Sequence, residues 1–346
     1  MSEPKQYRWL VTGGAGFLGI HLCQGLLKRG QSVASLDIMP FPPEEALPGL
    51  NTIMADIRDT GAVYRAMQGV DFVVHAAAAL ALADPREIDS VNAEGTRLVL
   101  EAAARTGVRR VVYIGTTAIY GMPKVHPLYE TAQLDPMGFY GIAKARAEQY
   151  CVASSVETVR IRPKSFIGTG RLGIFQVLFD WIDSGKRIPV LGDGTNRFQL
   201  LEVRDLVDAV YLAALNGRDK EVYNIGAAEF GTVNEDLGGL LDYAATGSRI
   251  LHVPSRPAKT ALAVLESLHL SPVYRWVYDT ADQDSFVSID KAKQDLGWSP
   301  NFSNRQALIS TYSWYLEYGK EMAKQSGTSH RVAWKQGALR LLKFFM

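Results

Sequence analysis

A glycine-rich loop between a predicted strand and a predicted helix constrains this chain more than any other feature. The loop, Thr12 to Gly19 (TGGAGFLG), follows the apolar run 8–12 and opens the helical pattern 17–29. Glycines let the backbone turn tightly and approach a phosphate, while a helix N-terminus offers free N–H groups and a positive dipole end. A glycine string also serves plain turns. Its place between a strand and a helix favours a pyrophosphate-binding loop.

An acidic residue follows this loop at the distance that dinucleotide binding requires. Asp37 ends the second predicted strand, 18 residues after Gly19. A carboxylate there can accept both ribose hydroxyls and would repel a 2′-phosphate, which favours NAD over NADP. The other interpretation is a solvated loop aspartate. Asp56 and Ile57, after the third strand, are the expected place for contacts to the adenine.

Short apolar runs alternate with helical patterns through the first half of the chain. The predicted strands are 8–12, 32–36, 52–55, 72–75, 111–114, 158–161 and 222–225. The predicted helices are 17–29, 62–67, 87–105, 140–153 and 203–214. This alternation predicts an α/β fold with a doubly wound parallel sheet covered on both faces.

The pattern loosens after about residue 165, where Gly-rich pieces appear. We therefore predict a dinucleotide-binding domain over 1–165, to which the chain returns around 201–226. A smaller α/β substrate-binding domain is expected over 166–328, followed by a basic amphipathic tail over 329–346. The active site is expected between the two domains.

Composition excludes several other classes of protein. The 346 residues are 47% hydrophobic with a net charge of +1, which argues against disorder and against a strongly basic nucleic-acid-binding surface. Two cysteines cannot form a disulfide framework, and the six histidines show no metal-ligand spacing. There is no long apolar run and no apolar leader, so a cytoplasmic protein that binds a small-molecule substrate is expected.

Two further motifs give these features a family resemblance. Tyr140 and Lys144 (YGIAK) form a Tyr-x-x-x-Lys pair on one helix face, and the stretch 114–121 (IGTTAIYG) lies upstream. With the glycine loop, they resemble the extended short-chain dehydrogenase/reductase family, the NAD-dependent epimerase/dehydratase group. The resemblance covers about residues 7–300 and implies a Rossmann fold. It also includes HAAA at 75–78, VNAEGT at 91–96, Glu130, Arg162-Pro163, YNIG at 223–226 and LGWSP at 296–300.

The resemblance implies the roles of three catalytic residues. Oxidation of a secondary alcohol needs a base that is partly ionised near neutral pH, whereas free tyrosine has a pKa of about 10. Tyr140 would be the acid/base, and the Lys144 cation would favour its phenolate and bond the nicotinamide ribose. Thr116 occupies the position of the family's catalytic Ser/Thr and would orient the reacting oxygen.

The resemblance also implies which residues contact the ligands. NAD contacts are expected from Gly13, Gly16, Phe17, Leu18, Gly19, Asp37, Asp56, Ile57, Ala76, Ala77, Ala78, Tyr140, Lys144, Pro163 and Ser165. Substrate contacts are expected from Thr117, Ser165 and Arg197, the last matching the family's diphosphate-binding arginine.

Departures from the family pattern narrow the reaction and leave the substrate open. The dehydratases carry an acidic pair where this chain has Thr117 and Ala118, so no carboxylate is available for elimination. Sugar-nucleotide epimerases usually place an Asn after Arg162-Pro163, where this chain has Lys164-Ser165. The run from Gly185-Lys186 to Asn196 instead matches the 3β-hydroxysteroid dehydrogenase-like branch. A sugar-nucleotide 4-epimerase is the favoured hypothesis, and a dehydrogenase is the alternative. The third hypothesis is a catalytically silent NAD-binding protein.

Two surfaces are expected to contact partners. Family members commonly dimerise through the helices that correspond here to 87–105 and 140–153, so a homodimer is expected. The tail 329–346 has four basic and no acidic residues with an apolar helical face. This pattern suits peripheral contact with an anionic membrane or docking on its own domain or a dimer mate.

Overall fold

A computed structural model describes residues 5–267 and 275–320 of the chain. The tail 329–346, with its expected membrane or docking contact, lies outside the described residues. The strands are β1 (Arg8–Thr12), β2 (Ser32–Asp37), β3 (Asn51–Met54), β4 (Phe72–His75), β5 (Arg110–Ile114), β6 (Glu157–Pro163), β7 (Ser165–Ile167), β8 (Ile188–Leu191), β9 (Leu200–Glu202), β10 (Val222–Ile225) and β11 (Ile250–Val253).

The helices follow the strands in alternation through the first half of the chain. They are α1 (Phe17–Lys28), α2 (Thr60–Ala66), α3 (Pro85–Ile88), α4 (Thr96–Thr106), α5 (Gly138–Ala153), α6 (Ile174–Asp183), α7 (Val203–Asn216), α8 (Val233–Ala244), α9 (Ser255–Ser267), α10 (Arg275–Thr280), α11 (Asp290–Leu296) and α12 (Asn304–Trp314). A π-helical segment, Asp89–Gly95, joins α3 to α4. In the part of the chain that the structure describes, no helix is both long and apolar enough to cross a bilayer.

The seven-stranded central sheet has the order β10-β6-β5-β4-β1-β2-β3, and all its pairs are parallel. The predicted doubly wound sheet is therefore confirmed. Alternate side chains of a strand serve opposite faces. On β1, Trp9 and Val11 pack with α1 and α7, whereas Leu10 packs on the other face with α4 and α5. Parallel strands buried on both faces explain the continuous apolar runs in the sequence.

After β7, α6, β8 and β9, the chain returns to the central sheet. β10 pairs with β6, and α7 packs against α1. Residues 287–298, predicted within the smaller domain, also contribute to this core through Val287, Ile289, Leu296 and Trp298. The indole Nε1 of Trp298 donates to the Asp205 carbonyl on α7 at 2.9 Å. The segment 287–298 therefore packs on α7 and β10, and the domain division stays a prediction.

The smaller unit contains two short parallel pairs, β7–β9 and β8–β11. Its apolar cluster is formed by α6, α8 and α12, with Phe179 and Ile182 fully buried. Capping boxes begin α8 at Thr232 and α12 at Ser303, where reciprocal hydrogen bonds satisfy N–H groups at the helix start.

The face predicted to dimerise combines the π-helical segment, α4 and α5. The Glu94 carboxylate accepts from Arg97, Arg146 and Tyr150, which ties α5 to the neighbouring helical run. The apolar side chain of Ile142 is 54% exposed on this side. The homodimer stays a prediction.

Candidate active site

The glycine loop has the close-packed geometry that a phosphate cradle needs. The Gly13 N–H donates to the Leu36 carbonyl at 2.8 Å, and Gly13 has a φ of +71°. A Cβ on Gly13 would lie 2.7 Å from the Ala77 nitrogen, and one on Gly19 would lie 2.0 Å from the Gly13 carbonyl oxygen. Any side chain at either position would therefore displace the loop.

The residues around this loop fit a dinucleotide. The first turn of α1 has no acidic residue and no side-chain cap at Gly16, so its N–H groups suit the anionic pyrophosphate. The Asp37 carboxylate accepts the N–H groups of Ala15 at 3.0 Å and Met39 at 2.9 Å. It lines a cavity of about 350 Å³ together with Leu50 and Met54. The size and the carboxylate match an adenosine that is held by its ribose.

The two residues expected at the adenine have clear local partners. The Asp56 carboxylate is bound by Arg58, with Nε to Oδ1 at 3.0 Å and Nη2 to Oδ2 at 2.6 Å. These hydrogen bonds lower the pKa of Asp56 despite a smaller opposing effect of burial. The Ile57 side chain is buried against Gly95. Their contact with the cofactor stays a prediction.

His75 holds the loop that follows β4. Its Nδ1 lies 2.7 Å from the Thr12 hydroxyl, and its Nε2 lies 3.0 Å from the Thr96 hydroxyl. Because Thr96 donates its proton to the Asn92 carbonyl, it accepts from Nε2–H, which assigns the tautomer. Burial, aided by the Lys144 charge, lowers the pKa of His75 to about 3. A neutral His75 thus positions Thr12, whose hydroxyl accepts the Ala77 N–H at 3.3 Å, beside the predicted NAD contacts.

Of the three predicted catalytic residues, Lys144 contacts the carboxyl end of β5, Thr116 follows that strand, and Tyr140 shares α5 with Lys144. Lys144 is 4% exposed, and its Nζ donates to the Ile114 carbonyl at 2.6 Å. Burial lowers the pKa of Lys144 to about 8, with Glu148 opposing the shift. Thr116, two residues after Ile114, is partly exposed, and its hydroxyl accepts the Ala118 N–H at 3.1 Å. Tyr140 lies one helical turn before Lys144 and is partly buried.

A buried ion pair fixes the helix that carries Tyr140 and Lys144. The Glu148 carboxylate accepts from Arg162, with Nε to Oε1 at 3.0 Å and Nη2 to Oε2 at 2.6 Å. Both side chains are at most 4% exposed. Arg162 also donates to the Tyr120 hydroxyl, which in turn donates to Asn224. This network joins α5 to β6 and β10 and so sets where Lys144 meets β5.

Breaking this ion pair should destabilise the fold. We expect Glu148→Ala to reduce the free energy of unfolding by about 3–5 kcal/mol, because a buried guanidinium loses its carboxylate. Urea denaturation of the variant and of Glu101→Ala provides the measurement. Glu101 pairs with Arg97 on the surface, so its loss should cost about 1 kcal/mol or less. Equal losses in the two variants would contradict the assigned role.

The predicted substrate residues Thr117 and Ser165 lie just after the carboxyl ends of β5 and β6, respectively. The Thr117 hydroxyl donates to the Pro163 carbonyl at 3.3 Å, which joins the segment after β5 to the end of β6. Ser165 begins β7, pairs with Leu200 and is partly exposed. Lys164, between Pro163 and Ser165 in the chain, is buried, and its Nζ donates to the Ser285 hydroxyl at 2.7 Å. Sequence reasoning identified Lys164 only as a departure from the family pattern.

Arg197 lies in an aromatic cage rather than in a salt bridge. Its guanidinium carbon lies 4.6 Å from the Phe230 ring centroid and 4.9 Å from that of Phe286. Among the described residues, no carboxylate forms an ion pair with the Arg197 guanidinium. His126 stacks on Phe286 at 4.9 Å. Sequence reasoning missed both phenylalanines, because they come from distant segments that carry no motif.

Comparisons with known proteins agree with this geometry. Residues 9–226 match the family model described as NAD dependent epimerase/dehydratase family. An uncharacterized protein, y4nG of Sinorhizobium fredii, is 36% identical, over 97% of this chain and 85% of its own length. A 3 beta-hydroxysteroid dehydrogenase/Delta 5-->4-isomerase of Mycobacterium tuberculosis is 27% identical, over 94% of this chain and 95% of its own.

A solved structure shows the same likeness. The UDP-glucose 4-epimerase of Thermotoga maritima, determined with UDP-glucose, has a TM-score of 0.75 and 26% identity. The match covers 90% of this chain and 99% of that one.

Proposed function

Because the chain belongs to the NAD-dependent epimerase/dehydratase family, we propose that this NAD-dependent enzyme acts on a sugar nucleotide. The proposed reaction is a 4-epimerisation, in which a secondary alcohol carbon is oxidised and then reduced again while NAD stays bound. The observation that carries the redox chemistry is the buried Lys144, which lies one helical turn after Tyr140 and is held at the Ile114 carbonyl, two residues before Thr116.

Each catalytic residue has one task in this reaction. Tyr140 takes the hydroxyl proton of the alcohol and returns it after reduction. The Lys144 cation stabilises the phenolate electrostatically, and with a pKa of about 8 it is mostly charged at neutral pH. Thr116 bonds the reacting oxygen through its hydroxyl. When bound, NAD would supply the acceptor and then the donor of the hydride at the alcohol carbon.

The Arg197 cage supports a sugar nucleotide as the substrate. A guanidinium without a carboxylate partner suits a diphosphate, to which it can donate two parallel hydrogen bonds. The rings of Phe230 and Phe286 hold its plane. The likeness to a UDP-glucose 4-epimerase points in the same direction.

Two measurements test the proposed function. The purified protein would be denatured and the released NAD and NADH assayed, and it would be incubated with UDP-galactose and UDP-glucose. Near-stoichiometric NAD together with interconversion of the two sugars supports the epimerase. Empty protein that forms NADH with added alcohols contradicts it.

A dehydrogenase that releases its ketone is the second candidate function. Two sequence features match the 3β-hydroxysteroid dehydrogenase-like branch: Arg162-Pro163 at the end of β6 and the run from Gly185 to Asn196. The similarity to the mycobacterial 3 beta-hydroxysteroid dehydrogenase supports the same candidate. NAD-dependent oxidation of a 3β-hydroxysteroid, without retained cofactor, would establish it.

Asp37 should determine the preference for NAD over NADP. We expect Asp37→Asn to reduce that preference about tenfold or more, because a carboxylate near a 2′-phosphate costs about 1–4 kcal/mol of repulsion. Titration of both cofactors by fluorescence gives the ratio of dissociation constants. An exposed control, Asp59→Asn at the N-cap of α2, should leave the ratio unchanged. An unchanged ratio in Asp37→Asn would rule out the ribose contact.

A further inference from the structure

Lys164 has an environment that is unusual for a charged side chain. It follows β6 and is 4% exposed. Its Nζ donates to the Ser285 hydroxyl at 2.7 Å and lies 5.1 Å from the Phe198 ring centroid. An ammonium has three N–H donors, and within the described part of the chain Ser285 is its one hydrogen-bond partner.

Among the residues that the structure describes, no negative charge compensates this amine. Two residues earlier, Arg162 is just as buried but is paired with Glu148. No described carboxylate lies within ion-pair distance of Lys164, and burial alone lowers its pKa to about 7. A buried cation without an anion costs stability. Such a group is a candidate for binding a ligand of opposite charge.

The location of Lys164 is where a ligand is expected. In open parallel sheets, ligands bind outside the carboxyl ends of the strands. The backbone N–H of Lys164 donates to the Ile225 carbonyl at the end of β10, so its backbone lies at this edge of the sheet. Ser285, the hydrogen-bond partner of the amine, is itself partly exposed, and its chain neighbour Asp284 is exposed.

The amine is distinct from the Arg197 cage. Phe198 and Ser285 form an isolated parallel bridge, and neighbouring side chains of extended segments point to opposite faces. Lys164 contacts Phe198 and Ser285, whereas Arg197 contacts Phe286 and Phe230. The two cations therefore have separate contact partners around this bridge.

We propose that Lys164 and Ser285 form a binding site for an anionic group of the substrate, a phosphate or a carboxylate. The proposal rests on the proposed function and deepens it, because it requires an anionic substrate and excludes a neutral steroid. The ammonium would donate its free N–H groups to the anion, and the Ser285 hydroxyl would donate a further hydrogen bond.

This site makes binding dependent on pH. Near neutral pH the amine of the free site is partly uncharged, and a bound anion favours the ammonium, so binding takes up a proton. The charged groups on the contacting segments are Arg197 and Asp284, and the Asp284 carboxylate accepts the backbone N–H of Arg197 at 2.8 Å. On β6, Arg162 is held by Glu148.

Calorimetry on the NAD-loaded full chain tests the site. The probes are UDP, UDP-glucose, UDP-glucuronate and inorganic pyrophosphate, each titrated at pH 6.5 and 8.5 in buffers of different ionisation enthalpy. We expect the Lys164→Met variant to bind the probe whose anion occupies this site about tenfold or more weakly than the parent protein at pH 6.5. The proton uptake that accompanies binding should also be lost in the variant. The exposed Lys293→Met is the matched control and should behave as the parent protein.

The pattern across the probes identifies the anion. Equal losses for UDP and both UDP-sugars assign a diphosphate, whereas a loss confined to UDP-glucuronate assigns the sugar carboxylate. Unchanged affinities and proton uptake in Lys164→Met overturn the site. If no nucleotide binds the parent protein, the proposed function fails, and the pyrophosphate titration then decides the anion site separately.

Thermal unfolding tests whether the Lys164→Met variant is folded. Because the folded pKa of about 7 lies below the ordinary value of about 10.4, the unfolded chain binds more protons between these values, and the parent gains stability as pH rises. The variant should therefore melt higher than the parent at pH 7, with the difference shrinking towards pH 10. A variant that melts at a lower temperature than the parent at pH 7 would show that the amine stabilises the ligand-free fold, which contradicts its role as an uncompensated binding group.

Discussion

Replacing Tyr140 with Phe should lower turnover about 10²–10⁴-fold, the usual contribution of a general acid/base. The change removes one hydroxyl from a partly buried side chain on α5 and leaves Lys144 at the Ile114 carbonyl. NAD retention and thermal stability should therefore stay close to those of the parent protein. The measurement is interconversion of UDP-glucose and UDP-galactose, with released NAD assayed in parallel.

Tyr150→Phe is the matched control on the same helix. The Tyr150 hydroxyl donates to Glu94 at 2.9 Å on the side of α5 that faces the π-helical segment. We expect this variant to keep most of its turnover and to lose about 0.5–1.5 kcal/mol of stability with the hydrogen bond. Near-normal turnover in Tyr140→Phe, or equal losses in both variants, would remove Tyr140 from the acid/base role.

Replacing Gly19 with Ala should largely abolish NAD retention. The added Cβ would lie 2.0 Å from the Gly13 carbonyl oxygen and 2.5 Å from the Gly14 Cα, both backbone atoms that cannot rotate away. Relieving such overpacking costs about 1–3 kcal/mol. If the loop leaves its phosphate-binding conformation to relieve the strain, NAD affinity falls roughly 5- to 150-fold. Fluorescence titration of NAD measures this loss.

Gly238→Ala separates a loop effect from a general effect of the substitution. Gly238 lies inside α8, and a Cβ there would meet no atom within 4 Å. Alanine inside a helix is more stable than glycine by about 0.5–1 kcal/mol, so this variant should melt slightly higher and bind NAD normally. Unchanged NAD affinity in Gly19→Ala would contradict the cradle geometry.

The fold of the first half follows from local pattern. The strand 72–75 and the start of α1 at Phe17 were predicted at their observed positions, because apolar β-branched runs and a glycine loop are features of the sequence itself. The predicted helix 87–105 instead contains a π-helical segment, in which Asn92 bonds the Ala79 backbone. That interruption depends on a partner 13 residues away, which periodicity does not reveal.

The residues of the candidate site also fall into two groups, those that motif spacing predicts and those that depend on packing between distant segments. Motif spacing brought Tyr140, Lys144 and the glycine loop to notice, because their chemistry needs fixed distances along one helix or one turn. The pairing of Glu148 with Arg162 required the packing of α5 on β6.

The sequence by itself determined the parallel sheet and predicted the NAD loop and the catalytic pair Tyr140 and Lys144, since each rests on residues close together in the chain. Only the tertiary structure decided which charges are compensated. Arg162 meets a carboxylate across the core, whereas Lys164, two residues later, meets a hydroxyl 121 residues away and no acid among the described residues. Burial and partnership are properties of the packed chain, because they depend on which distant segments exclude water from a side chain.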